Sequence, residues 1–247
     1  MRFGVADYGI SVWDGGNFDF EARMAALKDI GFDGIERISA ATEADLLQKA
    51  AAARRLGGGF ATVRGPSDDL SIRWAAALGC DYVWISNKPT DFDRPTFFRQ
   101  SRAFASACAK YGLKAGLHNH MGTCIETQPQ LEEFLKECPE CTIIFDTAHL
   151  AAMGGDPAHI IRSYPDRIQV MHMKDWIMKD PDHEVWHQRG RFCELGAGNI
   201  GMDHEDIMKA LSEAKFDGWL FIEQDKHEQD PLIDLEASLK LLQGYRA

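Results

Sequence analysis

No stretch of this 247-residue chain stays apolar for anything near the ~20 residues of a bilayer span, which excludes a membrane-spanning helix. No run of basic residues exceeds the pair Arg54-Arg55, and 27 basic against 38 acidic side chains leave a net charge of −11. Such a chain repels phosphate backbones and anionic lipid, so neither nucleic acid nor a membrane surface is expected as a partner. The six cysteines lack the order of a disulfide or zinc framework. Only Cys138-Pro139-Glu140-Cys141 has CxxC spacing, and no second CxxC or histidine pair follows it. Free thiols are the default reading, with redox or zinc chemistry at that motif as the minority alternative. No signal-like segment precedes Met1-Arg2-Phe3-Gly4-Val5, which runs straight into a strand-like stretch, so a cytoplasmic location is expected. Asp14-Gly15-Gly16-Asn17 is glycine-rich but has neither GxGxxG nor GxxxxGK[ST] form, which disfavours a nucleotide-binding open sheet.

What the chain does have is rhythm. Short apolar runs at Phe3 to Ile10, Gly34 to Ile38, Phe60 to Arg64, Tyr82 to Ser86, Lys114 to His118, Thr142 to Asp146, Ile168 to His172 and Trp219 to Ile222 predict eight strands. Between them lie helical patterns at Phe20 to Ile30, Thr42 to Leu56, Ser67 to Leu78, Pro95 to Tyr111, Pro129 to Glu137, Pro157 to Ser163 and His204 to Ala214. A last helix carries Leu232, Leu235, Leu239 and Leu242 on one face. Asp19 reads as an N-cap, and Gly31, Gly79 and Gly112 as stops. Strict alternation demands a parallel sheet, because each crossover returns the chain to the same end. Eight such units in 247 residues with no linker predict one domain, residues 1–247, folded as an α/β single (β/α)8 TIM barrel. The segment from Trp176 to Ile200 is expected as a long loop without regular structure that closes over the barrel mouth or makes a subunit contact, so a homo-oligomer is compatible with this reading.

In a parallel barrel the functional end is where the strands finish. The polar residues there are Glu36 and Arg37 on the second strand, His118-Asn119-His120 on the fifth, Asp146 and His149 on the sixth, His172, Lys174 and Asp175 on the seventh, and Glu223, Gln224 and Asp225 on the eighth. Each group follows an apolar run, and burying a charge there costs several kcal/mol unless a counter-charge or a metal compensates. Carboxylates and imidazoles converging from separate strands form the N/O ligand set of Mn²⁺, Co²⁺, Zn²⁺ or Mg²⁺. Taken singly, each residue has a plainer role: Asp146 as the cap of a following helix, Glu223 as a partner of Lys174 or Lys226. The tryptophans read as packing or pocket walls, and His159, His183, His187, His204 and His227 as solvated.

The stretches Leu117-His118-Asn119-His120-Met121-Gly122-Thr123, Phe145-Asp146-Thr147-Ala148-His149, His172-Met173-Lys174-Asp175, Glu194-Leu195-Gly196-Ala197-Gly198 and Phe221-Ile222-Glu223-Gln224-Asp225, with Gly31-Phe32-Asp33-Gly34-Ile35-Glu36 upstream, fall along nearly the whole chain. In content and order the chain resembles the xylose isomerase-like barrel superfamily. That superfamily includes sugar isomerases and epimerases, inosose dehydratases, dehydroshikimate dehydratases and apurinic-endonuclease-type phosphodiesterases. The resemblance implies one divalent metal ion (Mn, Co, Zn or Mg) held by Asp146, His172 and Glu223, with His149 contacting substrate. The family's further ligand is usually a Glu ending the fifth strand. Here that position is His118, and the nearest Glu is Glu126. Glu126 folding back into the mouth is the favoured fourth ligand, and His118 the second choice.

The resemblance further implies proton transfer α to a carbonyl in a small polyhydroxylated compound. The carboxylate of Glu126 or Glu223 is the expected base, and His120 or His149 returns the proton. Lys174 steadies the developing charge, while Glu36, Arg37, His118 and His149 contact substrate. Reprotonation gives an isomerase or epimerase, the leading expectation, and loss of a β-hydroxyl gives a dehydratase. A non-catalytic metal- or sugar-binding barrel is a third reading. An endonuclease-like phosphodiesterase comes last, because Thr62-Val63-Arg64-Gly65 and Ile85-Ser86-Asn87-Lys88 bring no histidine to the third and fourth strand ends.

Overall fold

A computed structural model describes residues 1–6 and 19–245. The glycine-rich segment 14–17, Trp13 and the far half of the first expected strand lie outside the described residues. Eight parallel strands form one sheet: β1 (Arg2–Val5), β2 (Gly34–Ser39), β3 (Gly59–Arg64), β4 (Tyr82–Ile85), β5 (Lys114–His118), β6 (Thr142–Asp146), β7 (Ile168–Met173) and, last in the chain, β10 (Trp219–Ile222). Their order is β3-β2-β1-β10-β7-β6-β5-β4, each neighbour paired in parallel register, so the sheet curls almost fully round. At the seam between β3 and β4, the Thr62 hydroxyl donates to the Tyr82 carbonyl at 2.5 Å. This is the expected (β/α)8 barrel.

The helices between the strands are α1 (Phe20–Ile30), α2 (Glu43–Arg55), α3 (Asp68–Leu78), α4 (Arg94–Ala109), α5 (Gln128–Glu137), α6 (Thr147–Ala151), α7 (Pro157–Ser163), α8 (His204–Glu213) and α9 (Pro231–Gly244). Each opens on Asp, Thr or Ser: Asp19, Thr42, Ser67, Asp93, Thr127, Asp146, Asp156, Asp203 and Asp230. A capping oxygen satisfies a first-turn N–H and contributes roughly 1 kcal/mol per helix. Gly31 ends α1 at φ 111°, a left-handed conformation that only glycine adopts without strain. The short helix α6 starts directly after Asp146, the residue read from the sequence as a possible helix cap.

Side-chain parity along the strands decides what lies where. Ile143 and Phe145 of β6, and Leu220 and Ile222 of β10, belong to the main core between sheet and helices. The alternate residues Ile144, Val170, Trp219 and Phe221 form a separate cluster with Ala6, Ala61 and Tyr82, on the opposite face of the strands. That face is the barrel interior, because successive side chains point to opposite sides of a strand. Gly116 lies on β5 beside this cluster, where a Cβ would come within 2.9 Å of Ile144 Cγ1. One pleat further toward the strand ends, the same parity yields His118 after Gly116, Asp146 after Ile144, His172 after Val170 and Glu223 after Phe221.

The segment from 176 to 200 is not an irregular loop. It contains an antiparallel hairpin of β8 (Asp175–Met178) and β9 (Gly190–Cys193), with a single 3₁₀ turn at Trp186–Gln188 between them. The Asp175 carboxylate anchors its return, accepting N–H bonds from Gly196 at 2.9 Å and Gly198 at 3.1 Å. His204 is buried and lies 3.7 Å from that same carboxylate, and the His227 ring is buried against Asp234 at 2.8 Å. Neither of these two is the solvated residue its sequence position suggested.

Candidate metal centre and active site

Four side chains meet at the C-terminal end of the barrel interior. His118, Asp146, His172 and Glu223 each offer a donor atom within 4.8 Å of the others, and all four are buried. Cross-strand register sets this up, since Asp146 stands directly opposite His172 and Phe221 opposite the same histidine. Asp146 plays both roles read from the sequence: Oδ1 caps α6 by accepting the His149 N–H at 2.8 Å, and Oδ2 lies 3.3 Å from His118 Nε2. Asn119 locks the end of β6 in place, donating to the Asp146 carbonyl and accepting from its N–H, both at 2.9 Å.

His172 is held between two carboxylates. Nδ1 lies 2.5 Å from Glu223 Oε2, and Nε2 lies 3.0 Å from Glu36 Oε2. Glu36 is fully buried and committed, because its other oxygen accepts from Tyr82 Oη at 2.8 Å and Trp84 Nε1 at 3.1 Å. Burial alone would push the His172 ring down, but the charges of Glu36 and Glu223 and their hydrogen bonds raise it to about 10. Burial likewise opposes ionisation of Glu36, Asp146 and Glu223, yet facing cations hold all three below the usual carboxylate range: His172 for Glu36, and Lys174 first for the other two.

Lys174 is almost wholly buried, with Nζ 3.3 Å from Glu223, 3.3 Å from Asp225, 3.6 Å from Asp146 and 3.4 Å from His149 Nε2. Its ammonium also stands 4.2 Å over the Phe192 ring. Burial opposes the charge, and the surrounding carboxylates more than restore it. Asp225 goes the other way, raised to about 7 by burial, although Lys174 pulls it down. Its Oδ1 is buried without a hydrogen-bond partner.

His120 and His149 pack against each other above this floor, ring centroids 3.7 Å apart and tilted by 37°. The His120 Nδ1 lies 2.5 Å from the Met121 carbonyl oxygen. A carbonyl can only accept, so Nδ1 carries the proton and Nε2 is bare, and burial with the nearby charges of His118 and Lys174 holds the ring neutral, down to about 4. His149 has the Met121 N–H at Nδ1 and Lys174 at Nε2, both at 3.4 Å; burial keeps the ring neutral, and a neutral ring accepts from one of the two. The hairpin closes over this pair: Trp186 packs edge-on against His120 at 5.0 Å, and Phe192 against His149 at 5.3 Å. Gly122 makes room for Trp186, since a Cβ there would lie 2.4 Å from its ring. Trp84 lies 5.0 Å from His118, and the Arg37 guanidinium stands 4.2 Å over the Trp84 ring.

Of the residues expected from sequence, Asp146, His172, Glu223, His118, Lys174, His149, His120 and Glu36 are brought together. Glu126, the favoured fourth ligand, is not in the group of four. Its carboxylate accepts the Gly122 N–H at 2.8 Å and so shapes the loop after β5. A side chain eight residues past a strand end is placed by its loop, whereas His118 is placed by strand parity. Glu36, expected to hold substrate hydroxyls, has both oxygens engaged by His172, Tyr82 and Trp84, and Arg37, expected beside it, stacks its guanidinium on the Trp84 ring. Sequence reading missed Phe192 as a site residue, placed Asp225 at the strand end without a role, and read Trp84 and Trp186 only as packing or pocket walls. For Trp84 and Asp225 the signal existed, since each shares the inward parity of its neighbours Tyr82 and Glu223.

The donor set fits a divalent cation. Two imidazoles and two carboxylates are the N₂O₂ chemistry of such ions. Among the described residues, the carboxylates of Glu36, Asp146 and Glu223 converge on His172 and Lys174, a site where a bound cation can take the place of the His172 proton.

The family model of the xylose isomerase-like TIM barrel matches residues 69–245. Over 145 residues the chain is 34% identical to an inosose dehydratase of Clostridium botulinum, covering 53% of this chain and 47% of that protein. The chain thus spans about half the length of the curated relatives it matches. Among solved structures it is similar to a probable 3-DHS dehydratase, AsbF, from Bacillus anthracis (TM-score 0.76, 17% identity, 98% of this chain and 99% of that one). It is also similar to an L-ribulose 3-epimerase (TM-score 0.74, 18% identity, 99% and 95%). A third is the IOLI protein with a bound zinc atom (TM-score 0.73, 15% identity, 99% and 98%). The barrel, the order of its strands and the family match over most of the chain agree: this protein belongs to the xylose isomerase-like TIM barrel family.

Proposed function

We propose that this protein is a divalent-metal-dependent enzyme that removes a proton α to the carbonyl of a small polyhydroxylated compound and then releases a β-hydroxyl as water. The observation that carries the reading is the buried group of His118, Asp146, His172 and Glu223 directly beneath a histidine of fixed tautomer. Those four residues would hold the ion, and the chemistry it supplies when bound is Lewis acidity toward a carbonyl or enediolate oxygen. His120 is the base, with Nε2 bare and the ring neutral through the physiological range. His149 backs it by packing against it and keeps a neutral face toward substrate. Lys174, held charged by Glu223, Asp225 and Asp146, donates hydrogen bonds where an oxygen gains negative charge, including a departing hydroxyl. Trp186 and Phe192 cover the pair and exclude water from the intermediate.

Isomerisation or epimerisation, placed first by the sequence alone, is the second reading. It is favoured by one observation: Glu223 and His120 arise from different strand ends and offer two proton-transfer groups. Dehydration comes ahead because a fixed cationic donor, Lys174, lies within 3.4 Å of the His149 that packs on the base, which suits departure of hydroxide better than return of a proton. The similarity to inosose dehydratases supports the same order.

The test incubates the protein and Mn²⁺ with a panel of inososes and ketoses in D₂O. A rise in absorbance from an unsaturated diketone establishes dehydration, and deuterium in recovered or epimeric sugar without it establishes the second reading. If no compound takes up deuterium and none is consumed, α-proton transfer is wrong.

A further inference from the structure

We propose that Cys138 and Cys141 are a reversible redox pair, a buried dithiol that closes to an intramolecular disulfide at the end of the barrel opposite the metal group. The pair occupies the tight connection from α5 into β6. The Cys141 N–H donates to the Cys138 carbonyl at 3.0 Å, an i to i+3 turn. Such a turn brings its end Cα atoms within about 7 Å, and a disulfide spans Cα separations of roughly 4.4–6.8 Å. Closing the bond therefore asks for side-chain rotation and not for backbone movement.

The turn is held from outside the pair. Arg167 donates to the Cys138 carbonyl at 2.7 Å, to the Cys141 carbonyl at 2.7 and 3.0 Å, and to the Leu135 carbonyl at 2.8 Å. One guanidinium thus fixes the backbone on both sides of the dithiol. The two thiols are also unequal. The neighbouring Cys141 thiol, with Arg102 and Arg167, draws the Cys138 thiol below its ordinary value against the effect of burial, whereas Cys138 and burial push Cys141 far up. One sulfur has the character of an attacking thiolate and the other of a resolving thiol. Pro139 and Glu140 between them are exposed, so the pair lies one residue layer beneath the surface.

Each thiol donates to a backbone carbonyl of α4 at 3.7 Å, Cys138 to Phe98 and Cys141 to Ser101. Among the described residues the one group able to hold a metal is the one at the other end of β6. With hydrogen peroxide as oxidant, the Cys138 thiolate attacks one peroxide oxygen, the O–O bond breaks, and a sulfenic acid forms with release of hydroxide. The Cys141 sulfur then attacks Cys138, the S–O bond breaks, and water leaves with the remaining proton. In sum, two thiols and one peroxide give one disulfide and two waters, and an added dithiol reverses the change.

The test treats the full folded chain with graded hydrogen peroxide, quenches in denaturant with iodoacetamide, and analyses tryptic peptides by mass. The peptide 137–162 contains both cysteines and no other. It should lose two hydrogens and take no alkyl group, at doses where the peptides holding Cys80, Cys108, Cys124 and Cys193 remain alkylated, and dithiothreitol should reverse this. In Cys141→Ser, Cys138 should instead be trapped by dimedone as sulfenic acid. Two alkyl groups on peptide 137–162 at doses that oxidise the other cysteines would overturn the proposal. So would a disulfide that forms only in the urea-unfolded chain.

Discussion

Replacing Glu36 with Gln removes one charge and almost no volume at the most buried carboxylate behind the metal group. Glu36 Oε2 faces His172 Nε2 at 3.0 Å, while Oε1 accepts from Tyr82 and Trp84. For His172 to present a bare Nδ1 toward Glu223 and the other ligands, its proton must sit on Nε2 and be donated to an acceptor. The carboxylate accepts on both oxygens and serves all three donors at once. An amide cannot do so: either its NH₂ group faces the His172 N–H, or it turns over and meets the Tyr82 and Trp84 donors. Loss of an acceptor behind a metal-bound imidazole typically lowers metal affinity ~10–100-fold, or about 1.4–2.7 kcal/mol. The expected result is therefore a Kd for Mn²⁺ or Zn²⁺ raised by that factor, read by competition with a fluorescent chelator, with the far-ultraviolet circular dichroism of the barrel unchanged. Glu36→Ala should be worse, because it strands three buried donors at ~1–3 kcal/mol each. A Glu36→Gln protein that binds metal within twofold of the wild type would refute the reasoning, since the orientation of His172 would then owe nothing to Glu36.

Further outcomes follow from the same geometry. His118→Ala should cut metal affinity by orders of magnitude while Glu126→Gln leaves it within twofold; the opposite result in equilibrium dialysis would restore Glu126 as the ligand. In the metal-free protein His172 is raised to about 10, so it carries a proton at neutral pH that a cation must displace. Apparent metal affinity should then climb about tenfold per pH unit between pH 7 and 9, with close to one proton released per ion in calorimetry across buffers of differing ionisation enthalpy. The sign for folding is the reverse: because this pKa lies above the ordinary value, its contribution to metal-free stability is full below about 6.5 and fades as pH rises toward 10. A pH-independent affinity would mean that His172 is already neutral. Lys174→Met should keep metal content but lower kcat by ~10²–10³, the usual cost of one donor to a developing oxyanion. Loss of bound metal in that variant would show that Lys174 supports the ligands and not the reaction.

Much of this site was legible before any fold was known, for a reason visible in three runs. Ile143-Ile144-Phe145-Asp146, Ile168 through Met171 then His172, and Leu220-Phe221-Ile222-Glu223 each put a polar side chain where an apolar strand ends. In a parallel barrel that pattern has one place to go. Glu126 misled because a motif-level search for a Glu near the fifth strand ignores parity, and a loop residue answers to its local turn, here the Gly122 N–H. The hairpin within 176–200 was illegible because its strands are four residues each and unalternating, and their pairing is held by Asp175 and the two glycine N–H groups it accepts from.

The sequence by itself determined the alternation of apolar runs and capped helices, and with it a nearly closed parallel sheet whose functional end gathers Asp146, His172 and Glu223. Those are consequences of local periodicity and chain direction. Only the tertiary structure decided that His118 completes the group, that Glu36 stands behind His172, that Lys174 is the cation among the carboxylates, and that Trp186 and Phe192 roof the two packed histidines. Each of these depends on which way a side chain turns once strands pair in register, and register is a property of the assembled sheet that no single segment contains.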